Sequence, residues 1–108
     1  MNETTNINEM LAGREARYGS FEGHAEISQH LQGVILQYQA KRGCDLDPDQ
    51  REALDMIAHK IARIINGDPD YADNWIDIAG YATLVANRLE QEHNTSTAQN
   101  HTITKESK

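Results

Sequence analysis

The chain reads as all-α, a small antiparallel helical bundle of about four helices. Three observations carry that reading. Apolar residues recur at helical spacing in Ile27, Leu31, Val34, Ile35 and Tyr38, and again in Leu54, Ile57, Ala58, Ile61, Ile64 and Ile65, so each segment has one apolar face. Start and stop signals separate the segments, with Asp47-Pro48 before one and Asn66-Gly67-Asp68-Pro69 after it. Period-two alternation of useful length, the mark of a strand, does not occur.

The first element is a short helix that Asn6 caps, with Glu9 three residues on. Met10 and Leu11 form its apolar side, and Arg14 to Phe21 break toward a loop at Gly19 and Gly23. The second runs from about His24 to Ala40. In the third, Asp47 precedes a proline at the first helical position and Gln50 completes a capping box. That helix buries its leucine and isoleucines and ends at Asn66-Gly67, where glycine takes the left-handed cap conformation. The fourth begins around Asp70 to Ala72 and extends to about Glu92, burying Trp75, Ile78, Ala79, Ala82, Val85, Ala86 and Leu89. Its small residues let another helix approach closely. The helical domain therefore spans residues 1–92, and the polar run of 93–108 is a disordered tail, because it has too little apolar surface to offset its ordering entropy.

Composition narrows the function. With 108 residues, 38% hydrophobic and 25% charged, there is material for one domain with a thin core, and self-association would help it. The net charge of −7 argues against non-specific nucleic-acid binding, which needs a basic surface to neutralise phosphates. Cys44 stands alone, so there is neither a disulfide framework nor a zinc set, and a reducing cytoplasm is the simplest compartment. No apolar run approaches the roughly 20 residues of a membrane span.

Charged and aromatic residues concentrate on two helices. Glu52, Asp55, His59 and Arg63 fall on one stripe of the third helix, and Asp73, Asp77 and Tyr81 on one stripe of the fourth. Facing acidic stripes suit Mg²⁺, which takes carboxylate oxygens, water and phosphate. Asp55 and Asp73 also suit the positive ends of their own helices, whereas Asp77 lies a turn further in. Arg14 and Arg17 flank the Tyr18-Gly19 turn, and Lys60 and Arg63 border the apolar face of the third helix. Arginine forks match phosphate oxygens, and Tyr18, Phe21 or Tyr81 offer rings to a base. Equally, each base could neutralise a nearby acid. His24 and His59 have no second histidine at helical spacing, and hydrogen-bonded structural roles suit them as well as a ligand.

The run Arg14 to His24, with Gln50 to Gly67 and Tyr71 to Leu89, resembles a family of small domains common in phages and prophages. The Tyr18-Gly19 turn, the Lys60-x-x-Arg63 helix and the Asp73-x-x-x-Asp77-Ile78-x-x-Tyr81-Ala82 helix also look like modules of the all-α nucleoside triphosphate pyrophosphohydrolase group, which includes MazG-like enzymes. That likeness implies Mg²⁺ held by a Glu-Glu-x-x-Glu box on one helix and a Glu-x-x-Asp box on the next. Asp77 takes the place of the last acid. Asn74 stands three residues before it, however, and the second helix has no paired glutamates, which leaves too few anionic ligands to fix the ion during catalysis.

The leading expectation is a phage-type nucleotide-binding protein that sequesters a host nucleotide signal used in antiviral defence. Its binding residues are Arg14, Arg17, Tyr18, His24, His59, Lys60, Arg63 and Tyr81, in a homo-oligomer. The alternative is a Mg²⁺-dependent MazG-like pyrophosphohydrolase with Asp55, Asp73 and Asp77 on the metal. A third reading is a protein-interaction module.

Overall fold

Local signals fix most of the element boundaries in the structure, a computed structural model that describes residues 3–100, with side-chain surroundings described for 6–95. Among these residues there are four helices and no strand: α1 (Glu3–Tyr18), α2 (Phe21–Arg42), α3 (Pro48–Asn66) and α4 (Ala72–Asn100). At the start of α3, Pro48 occupies the first turn and the Gln50 side chain accepts from the Asp47 N–H at 2.8 Å, the capping-box pairing expected from the sequence.

Four boundaries differ from the sequence reading. First, α1 is one continuous helix, with Asn6 inside it rather than capping it; Gly13 weakens a helix without stopping it, and the break comes only at Gly19, whose φ is 77°. Second, α2 starts at Phe21, because the Ser20 hydroxyl caps it by accepting from the Gly23 N–H at 3.1 Å. Gly23 and His24 are therefore helical. Third, the left-handed C-cap belongs to Gly43, with φ 60°, and not to Gly67, with φ −128°. Fourth, α4 continues through His93 to Asn100, since no glycine or proline follows Leu89 to stop it. The rest of the polar tail expected to be disordered, 101–108, lies outside the described residues.

Helix α3 is the centre of the packing. It contacts the other three helices, whereas α2 and α4 do not touch each other. Toward α2, Arg51 of α3 donates to Gln39 at 3.2 Å; toward α4, Lys60 pairs with Asp77 at 3.0 Å. The three form a single layer, with the C-terminal end of α1 laid against one side. The radius of gyration, 19.5 Å, exceeds the about 13 Å of a compact domain of this length.

A single layer cannot cover its own apolar stripes, and this overturns most of the expected core. Only the alanines Ala53, Ala58 and Ala62 are buried apolar residues among those described. Leu54, Ile65, Trp75 and Leu89, all expected inside, are exposed, Ile65 by 66% and Trp75 by 55%. Ala79, Ala82 and Ala86 are exposed as well, while Ile57, Ile61, Ile64, Ile78 and Val85 are half-buried. Helical periodicity identifies which face is apolar but not whether the same chain has anything to put against it.

Candidate functional site

The site is built at a clamp between the α1–α2 and α3–α4 turns. Asn66, the last residue of α3, donates its side-chain amide to the carbonyls of Tyr18 and Ser20, each at 2.8 Å, and the Asp68 N–H donates to the Arg17 carbonyl at 2.7 Å. The two turns lie so close that a Cβ on Gly19 would overlap the Asn66 carbonyl, and a Cβ on Gly67 would overlap that of Arg17. Glycine is required at Gly19 on two counts, space and its positive φ.

The clamp delivers Tyr18 to the C-terminal half of α3. The Arg63 guanidinium stands 4.2 Å from the Tyr18 ring centroid and that of Arg14 5.2 Å from it. Tyr71 meets Tyr18 edge to face at 6.1 Å and carries the Arg17 guanidinium at 5.3 Å from its own ring. None of these three arginines has a carboxylate within ion-pair distance among the described residues. Arg51, Lys60 and Arg88 do.

Beside this cluster runs an open groove of about 640 Å³ lined from α1, α2 and α3, including Leu11, Arg14, Glu15, Tyr18, Phe21, His24, His59 and Arg63. His24 and His59 meet edge to face at 4.3 Å, and Phe21 stacks near His24 at 6.2 Å. The Nδ1 atoms of both histidines are buried without a hydrogen-bond partner. Burial is the main cause that lowers the pKa of His59 to about 4, aided by repulsion from His24, Arg63 and Lys60. His24 is lowered for the same first reason, with Arg63 and Lys60 contributing. Both rings are therefore neutral at pH 7, and each offers hydrogen-bonding capacity that the protein leaves unused.

The structure thus gathers Arg14, Tyr18, His24, His59 and Arg63 around one groove, with Arg17 beside it on Tyr71. Lys60 is not part of the lining; it is buried and committed to Asp77. Tyr81 is half-buried on α4 and does not line the groove. The acids expected on a metal are dispersed among other partners. Asp55 binds Arg51 at 3.2 Å, Asp73 accepts from the Tyr71 hydroxyl at 3.0 Å, and Asp77 holds Lys60. No group of three or more His, Cys, Asp or Glu suited to a metal ion occurs among the described residues.

Sequence reasoning missed Asn66 and Tyr71. Asn66 reads as a helix-ending residue next to glycine, and its bonds span 48 and 46 positions, beyond any periodicity. Tyr71 sits just past Pro69, where the aromatic residue alone was a signal.

The family model described as Domain of unknown function (DUF6378) matches residues 4–89, and the chain belongs to that family. No curated protein and no solved structure matches it.

Proposed function

We propose that this member of the family is a phage-type nucleotide-binding protein that holds a phosphorylated small molecule in the groove between α1 and the α2–α3 pair. Sequestering a host nucleotide signal used in antiviral defence is the biological role that follows from the phage resemblance. One observation carries the reading: in a chain of net charge −7, Arg14 and Arg63 converge on Tyr18 at a groove, and neither is neutralised by a carboxylate among the described residues.

A guanidinium stacked on a ring keeps its N–H fork for an anion while the ring fixes its plane. Two such forks from different helices suit a phosphate better than one, because they approach from separate directions. Tyr18 and Phe21 provide apolar faces for a base, and the neutral rings of His24 and His59 line the groove beside them. The groove volume of about 640 Å³ falls within the range of small-molecule sites, about 300 to 1,000 Å³.

Mass spectrometry of small molecules released by heating protein purified from infected cells tests this reading. The expected result is an intact nucleotide, bound stoichiometrically, whose affinity falls in Arg63→Ala. Release of pyrophosphate from nucleoside triphosphates with Mg²⁺ would instead establish the enzyme. Absence of any phosphorylated ligand from wild-type protein, with no binding in titration calorimetry against a nucleotide panel, would overturn the proposal.

A further inference from the structure

The layer formed by α2, α3 and α4 has a groove side and an open side, and the open side is apolar on α3 and α4. Leu54 and Arg63 are nine positions apart on α3, about two and a half turns, so they point to opposite sides. Ile61 and Ile65 follow Leu54 at offsets of seven and four and share its side. On α4, Lys60–Asp77 and Arg88–Asp49 mark the edge toward the groove. The exposed repeat Trp75, Ala82 and Leu89, with Ala79 and Ala86 between, falls on the other edge. The open side therefore presents two parallel stripes without a charged residue, one of them small enough for a close helix approach.

We propose that this open side is the interface with a second copy of this chain. Two arguments select that occupant. Leu54, Ile65, Trp75 and Leu89 are large apolar side chains left exposed together on this one side, the kind of surface from which a standard interface removes about 800 Å² per partner. Moreover, the fully buried apolar side chains among the described residues are three alanines, with Ile57, Ile61, Ile64, Ile78 and Val85 half-buried, so the core is thin and further apolar burial stabilises it. Whatever covers the open side must be present whenever the chain folds, in equal amount, and a second copy meets that condition by construction. Stacking the layer on its own copy through an isologous contact gives the two layers that a helical domain needs.

The interface is independent of the groove reading and has its own test. Light scattering on wild-type protein at on the order of 10 µM should give a dimer, and tenfold dilution should lower its unfolding midpoint, since dimer stability depends on concentration. Ile65→Lys should give monomer or unfolded chain. Either supports the interface, because a side chain 66% open in the single chain has little within that chain to disturb. Glu52→Lys, on the groove side of α3, should remain dimeric. A folded wild-type monomer with a concentration-independent midpoint would overturn the proposal, as would an Ile65→Lys protein as dimeric and stable as Glu52→Lys.

Discussion

The two ends of α3 use the same residue types to opposite effect. At its N-terminal end, Arg88 from α4 reaches Asp47, Asp49 and Glu92, and Arg51 holds Asp55 while donating to Gln39. The bonded guanidinium draws the Asp49 carboxyl below its ordinary range. At the C-terminal end, Arg14, Arg17 and Arg63 lean on tyrosine rings and meet no carboxylate among the described residues. Neutralised arginines have no reason to recruit an anion. Stacked ones retain both charge and donors, which is why the proposed anion site lies at the second end, and charge counting along the sequence could not have chosen between them.

The sharpest way to break the comparison is to remove one arginine from each end. Arg63→Ala should weaken nucleotide binding by roughly 1.5 to 3 kcal/mol, the range for charge-assisted hydrogen bonds to phosphate. Arg88→Ala should leave affinity unchanged and lower the melting temperature only slightly, because its pairs are solvated. Titration calorimetry and thermal melts on both variants measure this. Equal losses of affinity from the two ends would remove the distinction.

The clamp provides the second test. Asn66→Ala leaves the Tyr18 and Ser20 carbonyls without their donor and should cost about 1 to 3 kcal/mol in denaturant unfolding. Affinity should fall with it, since Tyr18 loses its fixed position. Unchanged stability with unchanged affinity would mean that the turns are held without Asn66.

The fold was legible in the sequence where the information is local. Asp47, Pro48 and Gln50 set the start of α3 through bonds within one turn, and apolar periodicity marked the helices. The site was half legible: Arg14, Tyr18 and Arg63 stand out by type, yet only the clamp between residues near 18 and 66 brings them together. Arginine at position 88 and arginine at position 63 look alike in a sequence; their partners come from other helices. The burial of α3 and α4 was misread for a related reason. Leu54, Ile65 and Trp75 have the pattern of core residues, but pattern does not say which molecule supplies the neighbour.

A smaller effect is expected at the boundary between the two ends, where Lys60 is nearly buried and Asp77 is half open. Asp77→Asn leaves a buried ammonium with a weaker partner and should cost about 1 to 2 kcal/mol, less than a fully buried pair because water reaches the carboxylate. Lys60→Met in the same background should recover most of that loss by removing the stranded charge. Failure of the second substitution to restore urea midpoints would mean that Asp77 acts through something other than Lys60. The pair also separates structure from chemistry. A lost turnover in Asp77→Asn at unchanged stability would assign the acid to a reaction rather than to the fold.

The gentlest perturbation is pH, and between about 4 and 6.5 it acts mainly on the groove end, since the Asp49 carboxyl at the other end titrates lower still. His24 and His59 are buried edge to face beside Arg63 and Lys60, and His59 titrates at about 4 instead of its ordinary 6.5. Between those two values the unfolded chain binds more protons than the folded one, so stability rises with pH there. The contribution is fully present above pH 6.5 and is lost progressively as pH falls toward about 4. Urea unfolding across this window should therefore show a falling midpoint in the wild type and a flatter profile in His59→Gln, which cannot take up the proton. A bound phosphate changes the prediction's sign for affinity. Protonated imidazoles beside an anion are favoured, so ligand binding should raise both histidine pKa values, and affinity should strengthen modestly as pH drops below 7 until unfolding intervenes. Proton NMR titration of the two rings with and without nucleotide checks this directly. Identical titration curves in the two states would place the ligand away from the histidine pair and toward the Arg17–Tyr71 side of the cluster.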